Sequence, residues 1–131
     1  MRQKTIEQLE GRVWSPATYE SYLVSTVHRL RKKPIGEFTV EDLRIMIGQG
    51  VGLPYLVPLA LDVLLQQPLA KGDFYPGDLL SSVVSAAALL EGQPELIRQV
   101  KTVARRALAD LGDEGSELRG RLSEFLQRVP A

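Results

Sequence analysis

His28 is the only histidine in the chain, and there is no cysteine. A general base needs a nucleophile or an orienting group within reach, and the residues around His28 supply none. Zinc needs more nitrogen or sulfur ligands than one histidine provides. The absence of cysteine removes disulfides, thiolate metal sites and thiol nucleophiles. Asp73 and Asp78 could form an acid/base pair or share a hard cation such as Mg²⁺. Both also have plain structural uses: Asp73 in a turn, and Asp78 after Pro76-Gly77 as a helix N-cap. Gly48-Gln-Gly-Val-Gly52 has the look of a phosphate loop, but it follows a helical pattern and no Lys-Ser/Thr comes after it. Helix termination by glycine is the better reading. The run His28-Arg-Leu-Arg-Lys-Lys33 could touch phosphates. No aromatic residues interleave with it, so it reads as a solvated helix end. Asp62 is the polar exception in an apolar helix, either on an exposed edge or hydrogen-bonded inside. Phe74 is expected to plug the core and Tyr75 to form a contact, since a tyrosine joins an apolar body to a polar tip.

The elements that must position these residues are helices, in a chain of 131 residues with 44% hydrophobic and 24% charged side chains. That is the size and composition of one ordinary domain able to bury a core. Gly11 ends a short polar helix. Ser15-Pro16 reads as the cap and first residue of a second helix, with Tyr19, Leu23, Val27 and Leu30 inward, stopped by Pro34. Thr39 to Asp42 resembles a capping box, opening a helix that ends near Gly48. A helix from about Pro54 to Gln66 contains Pro58, which either kinks it or delays its start. Asp78 caps a helix over Leu79 to Leu90, closed by Gly92. Pro94 opens an amphipathic helix with Leu96, Val100, Val103, Ala107 and Leu111 inward and Arg98, Lys101, Arg105 and Arg106 outward. Leu118, Leu122, Phe125 and Val129 mark a last helix. No alternating strand pattern is visible. The expected fold is all-α, an irregular or orthogonal bundle of six to seven helices forming one domain over residues 1–131.

Lys and Arg total 16, as do Asp and Glu. A dedicated nucleic-acid binder usually shows a basic excess, so this balance argues against one. The charge is unevenly placed. Met1 to Pro34 carries seven basic and three acidic residues, whereas Ile35 to Leu80 carries two basic and six acidic ones. The N-terminal stretch lacks an apolar signal segment, and the apolar runs are too short to span a bilayer.

Several blocks carry a family resemblance. EFTVEDLRIMIGQG (Glu37–Gly50), LPYLVPLALDVL (Leu53–Leu64) and PLAKGDFYPGDLL (Pro68–Leu80) resemble the immunity proteins of contact-dependent growth inhibition systems. KTIEQLEG (Lys4–Gly11) with Trp14, and SYLVSTVHRLRKKPI (Ser21–Ile35), fit as well. From Gly92 onward the match is only generic helix. The resemblance implies a non-enzymatic cytoplasmic protein without cofactor. It would bind, as a monomer in a one-to-one complex, the toxic C-terminal domain encoded beside it, and block that toxin's active site or substrate access.

Toxin domains that are nucleases have basic clefts, and an acidic partner surface would associate fast with them. The expected toxin-binding residues are therefore Glu37, Glu41, Asp42, Asp73, Tyr75 and Asp78. No catalytic, metal or cofactor residues are expected, nor direct contact with nucleic acid or membrane. Two other classes compete. A helical adaptor would show an exposed apolar groove. A small nucleic-acid binder would use Arg29, Arg31, Lys32 and Lys33.

Overall fold

The computed structural model describes residues 2–15, 21–90, 92–112 and 116–128. Among these residues there are seven α-helices: α1 (Ile6–Glu10), α2 (Tyr22–Leu30), α3 (Val40–Gly48), α4 (Leu53–Gln66), α5 (Asp78–Ser85), α6 (Pro94–Leu111) and α7 (Ser116–Arg128). Two 3₁₀ turns, Ile35–Glu37 and Ala87–Leu90, join them. Among the described residues the only extended pairing is one isolated bridge between Lys71 and Pro76. The all-α expectation is met.

Local chemistry sets most boundaries. Thr5 and Gln8 form a reciprocal capping box at the head of α1, and Gly11 closes it in the left-handed region. At α3 the Thr39 hydroxyl accepts from the Asp42 N–H at 3.1 Å, and the Asp42 carboxylate accepts from the Thr39 N–H at 3.0 Å. The anticipated capping box is therefore present with Asp in the Glu position. Pro94 stands in the first turn of α6, where its missing N–H has no intrahelical partner to lose.

α3 packs on both α4 and α5, α4 on α6, and α7 closes over α5 and α6. Ile6, Leu30, Met46, Ile47, Leu56, Leu61, Leu64, Leu79, Leu80 and Phe125 are fully enclosed between them. α4 runs unbroken through Pro58, so the delayed start is ruled out. Pro54, Pro58 and Asp62 share its exposed edge. Pro58 cannot pair the Pro54 carbonyl, and both prolines are exposed, so the lost hydrogen bond falls on the outer edge of the helix. Asp62 sits on that same edge beside Arg2, at 3.5 Å.

Several expectations are corrected. α2 begins at Tyr22, with the Ser21 hydroxyl accepting from the Val24 N–H at 3.1 Å. Pro16 and Tyr19 lie outside the described residues, as does Val129. Leu23 is 40% exposed rather than inward, and the buried face of α2 is Thr26, Val27 and Leu30. The helix after Gly77 stops at Ser85 and tightens into the 3₁₀ turn instead of reaching Leu90 as α-helix. Lys101 is buried, not outward.

The basic run is a solvated helix end only at Arg29 and Lys32, which are exposed. Arg31 is buried. Its guanidinium pairs with Glu10, donates to the Arg12 carbonyl at 2.8 Å, and lies 4.2 Å from the Trp14 ring centroid. Lys33 donates to Asp42 at 2.7 Å. Both cations are committed to holding the N-terminal segment and α2 against α3. His28 is half-buried with its ring edge-on to Trp14 at 5.3 Å, in keeping with a structural role.

Candidate functional site: the Gly72–Tyr75 loop

The segment between α4 and α5 is short and heavily constrained. Lys71 pairs with Pro76 across its base. The Gly77 N–H donates to the Leu69 carbonyl at 3.0 Å, and the Asp78 N–H to the Tyr75 carbonyl at 3.0 Å. Gly77 has φ 93°, and a Cβ there would lie 2.4 Å from Leu118 Cδ2. Only glycine fits that backbone and that gap.

Asp78 is the centre of the arrangement, in a role other than the anticipated one. Gly77, not Asp78, occupies the N-cap position of α5. Asp78 is the first helical residue, and its buried carboxylate turns back to the loop. It accepts from the Gly72 N–H at 2.6 Å, the Phe74 N–H at 3.0 Å and the Tyr75 N–H at 3.4 Å. Three backbone donors aimed at one carboxylate fix the loop's path. The negative charge at the start of α5 is also favourable to the helix dipole.

Glu41 and Arg44 of α3 brace the loop from the side. The Asp73 N–H donates to Glu41 Oε1 at 2.9 Å. Arg44 reaches the same carboxylate through Nε at 2.6 Å and through Nη2, one turn along the helix. The Arg44 Nε lies 3.9 Å from Asp78. Hydrogen bonds from Arg44 hold the Glu41 carboxyl below its usual range; partial burial opposes this, and the Asp73 N–H and the Arg44 charge reinforce it. The packing is also tight at Gly72, where a Cβ would meet Glu41 Oε1 at 2.5 Å.

The outer face of the loop is aromatic. Phe74 is 68% exposed and Tyr75 42% exposed. The Arg44 guanidinium sits 4.3 Å from the Phe74 ring centroid, a cation–π contact. The expectation that Phe74 plugs the core is wrong. The clamps from Asp78 and Glu41 carry the backbone past the core, and the ring lands on Arg44 instead.

Of the six residues expected to contact a toxin, Glu41, Asp73, Tyr75 and Asp78 meet in this loop cluster. Glu37 is exposed in the 3₁₀ turn before α3. Asp42 is nearly buried and spends its carboxylate on Thr39 and Lys33. Burial raises the Asp42 pKa, but the Lys33 and Thr39 hydrogen bonds and the Lys33 charge outweigh it and leave it lowered. Arg44 and the exposure of Phe74 were missed by sequence reasoning. The Glu41–Arg44 spacing of one helical turn was the available signal for Arg44.

A concavity lies at the other end of α3. It is an open cleft of about 460 Å³ lined by Glu10, Arg12, Trp14, Gly50, Val51, Gly52, Pro54 and Tyr55. The Tyr55 hydroxyl donates to the Leu9 carbonyl at 3.2 Å and so ties α4 to α1. Among the described residues no three His, Asp or Glu side chains are grouped as a metal ion would require.

The helical scaffold thus fixes an exposed aromatic loop through buried Asp78 and half-buried Glu41. Comparison with known proteins gives the class. Residues 8–111 match the family of CDI immunity proteins, and the chain belongs to that family. No curated protein and no solved structure matches the chain. Among the described residues no helix is long and apolar enough to cross a membrane.

Proposed function

We propose that this protein neutralises the toxic C-terminal domain of a CDI toxin encoded beside it. It binds that domain one-to-one in the cytoplasm and covers its active site or its path to substrate. The observation that carries the proposal is the family match over residues 8–111. The mechanism is occlusion rather than chemistry on the toxin. In support, the carboxylates of Glu41, Asp42 and Asp78 are each taken up by internal hydrogen bonds and ion pairs.

The surface offered to the toxin comprises Glu37, Asp73 and Tyr75, with Glu41 at its edge. Asp42 and Asp78 shape that surface from behind. The acidic excess between Ile35 and Leu80 suits a toxin with a basic cleft, as a nuclease has, by steering association. The nucleic-acid-binding alternative loses two of its four cations, because Arg31 is buried and Lys33 is ion-paired. Co-expression tests the proposal. The chain should protect cells from the toxin domain encoded beside it and give no protection against toxins of unrelated type. Equal death with and without the chain would refute it.

A further inference from the structure

We infer that Phe74 is the anchor of the toxin interface, a preformed knob that enters an apolar pocket with a cationic rim on the toxin domain. The inference rests on the toxin-binding reading and assigns it a contact residue and a partner chemistry.

Exposing a phenylalanine ring to water is unfavourable, and the chain could relieve it by letting the loop collapse. Instead the loop is held out by four backbone N–H donors bound to carboxylates: Gly72, Phe74 and Tyr75 to Asp78, and Asp73 to Glu41. The inner face of the ring rests on Arg44, while 68% of Phe74 remains open. A large apolar group on a fixed backbone binds with little loss of freedom, which is what a central anchor requires. Tyr75 beside it adds apolar area and a polar tip.

Charge defines the pocket it fits. Asp78 is buried and Glu41 is paired with Arg44, so the outward charges beside the knob are Asp73 and the exposed Lys71, and Glu37 adds a carboxylate on the turn before α3. The complementary surface is an apolar hollow edged by lysine or arginine. A nucleic-acid cleft has that chemistry, with base-stacking walls and phosphate-binding cations. On this reading Phe74 occupies space that a substrate base would otherwise take.

The test is binding kinetics against the immobilised toxin domain encoded beside this chain, using the wild type, Phe74→Ala and Leu89→Ala. Leu89 is a comparable control, 65% exposed and in the 3₁₀ turn after α5. Circular dichroism confirms that each variant is folded. Phe74→Ala should dissociate roughly 10- to 100-fold faster with little change in association, and Leu89→Ala should behave as wild type. If the wild type binds and Phe74→Ala dissociates at the same rate, or no faster than Leu89→Ala, the anchor is refuted while toxin binding stands. If the wild type does not bind, both readings fall.

Discussion

Replacing Asp78 by alanine separates two accounts of the same residue. As an N-cap its loss would cost about 1 kcal/mol. The structure gives it more to do, because its carboxylate holds three backbone N–H groups and lies beside Arg44. Hydrogen bonds to a charged group contribute about 1.5–3 kcal/mol each, but these three are not additive. Phe74 and Tyr75 are exposed, so their N–H groups can turn to water, whereas that of half-buried Gly72 is less free to do so. Arg44 keeps Glu41 as a partner. The expected loss is therefore about 3 kcal/mol, below the simple sum and well above a cap. For a chain of this size that lowers the thermal midpoint by about 10–15 °C. Asp78→Asn keeps the shape but turns an amide donor toward loop donors, and should lose most of the same stability. Urea unfolding followed by circular dichroism measures the loss. Hydrogen exchange at Gly72, Phe74 and Tyr75 should quicken in both variants. A loss near 1 kcal/mol with unchanged exchange at those amides would refute the clamp and restore the cap.

Gly77→Val should cost about 3–4 kcal/mol, since it forces a β-branched residue to positive φ against Leu118; a thermal midpoint within a few degrees of wild type would contradict this. Glu41 and Asp42 both have lowered pKa values in the folded protein, so the stability they confer is complete above their ordinary values and is lost as the pH falls through the folded ones. Unfolding free energy should thus decline below about pH 4, and Asp42→Asn should make that decline shallower. Identical acid slopes for the two proteins would show that the Lys33–Asp42 pair contributes nothing. Glu37→Lys combined with Asp73→Lys, both exposed, should slow association with a basic toxin roughly three- to tenfold and weaken its salt dependence, with the fold intact. Unchanged association rates would place the interface elsewhere.

What the sequence made legible was local. The Thr39–Asp42 box, the stop at Gly11 and the amphipathic α6 each depend on residues within one or two turns, and all appear where expected. What it hid were partners brought together by folding. Arg31 reads as one more cation at a helix end until Glu10, Arg12 and Trp14 close around it. Asp78 after Pro-Gly reads as a cap, and only the return of the loop shows that its carboxylate faces backward. Phe74, lacking the polar tip of Tyr75, reads as a plug for the core. Its position is set by carboxylates on α3 and α5 that no spacing rule connects to it. The acidic excess of the central segment was visible, but not that Asp42 and Asp78 are inside and shape the surface instead of forming it.

The central claim is that protection comes from reversible occlusion of the toxin. Its most direct test is the activity of the purified toxin domain alone, with an equimolar amount of this protein, and again after the two have been separated. Occlusion predicts that activity is lost in the mixture and returns in full on separation. Activity that stays lost after separation, or that is never lost in the mixture, would contradict it.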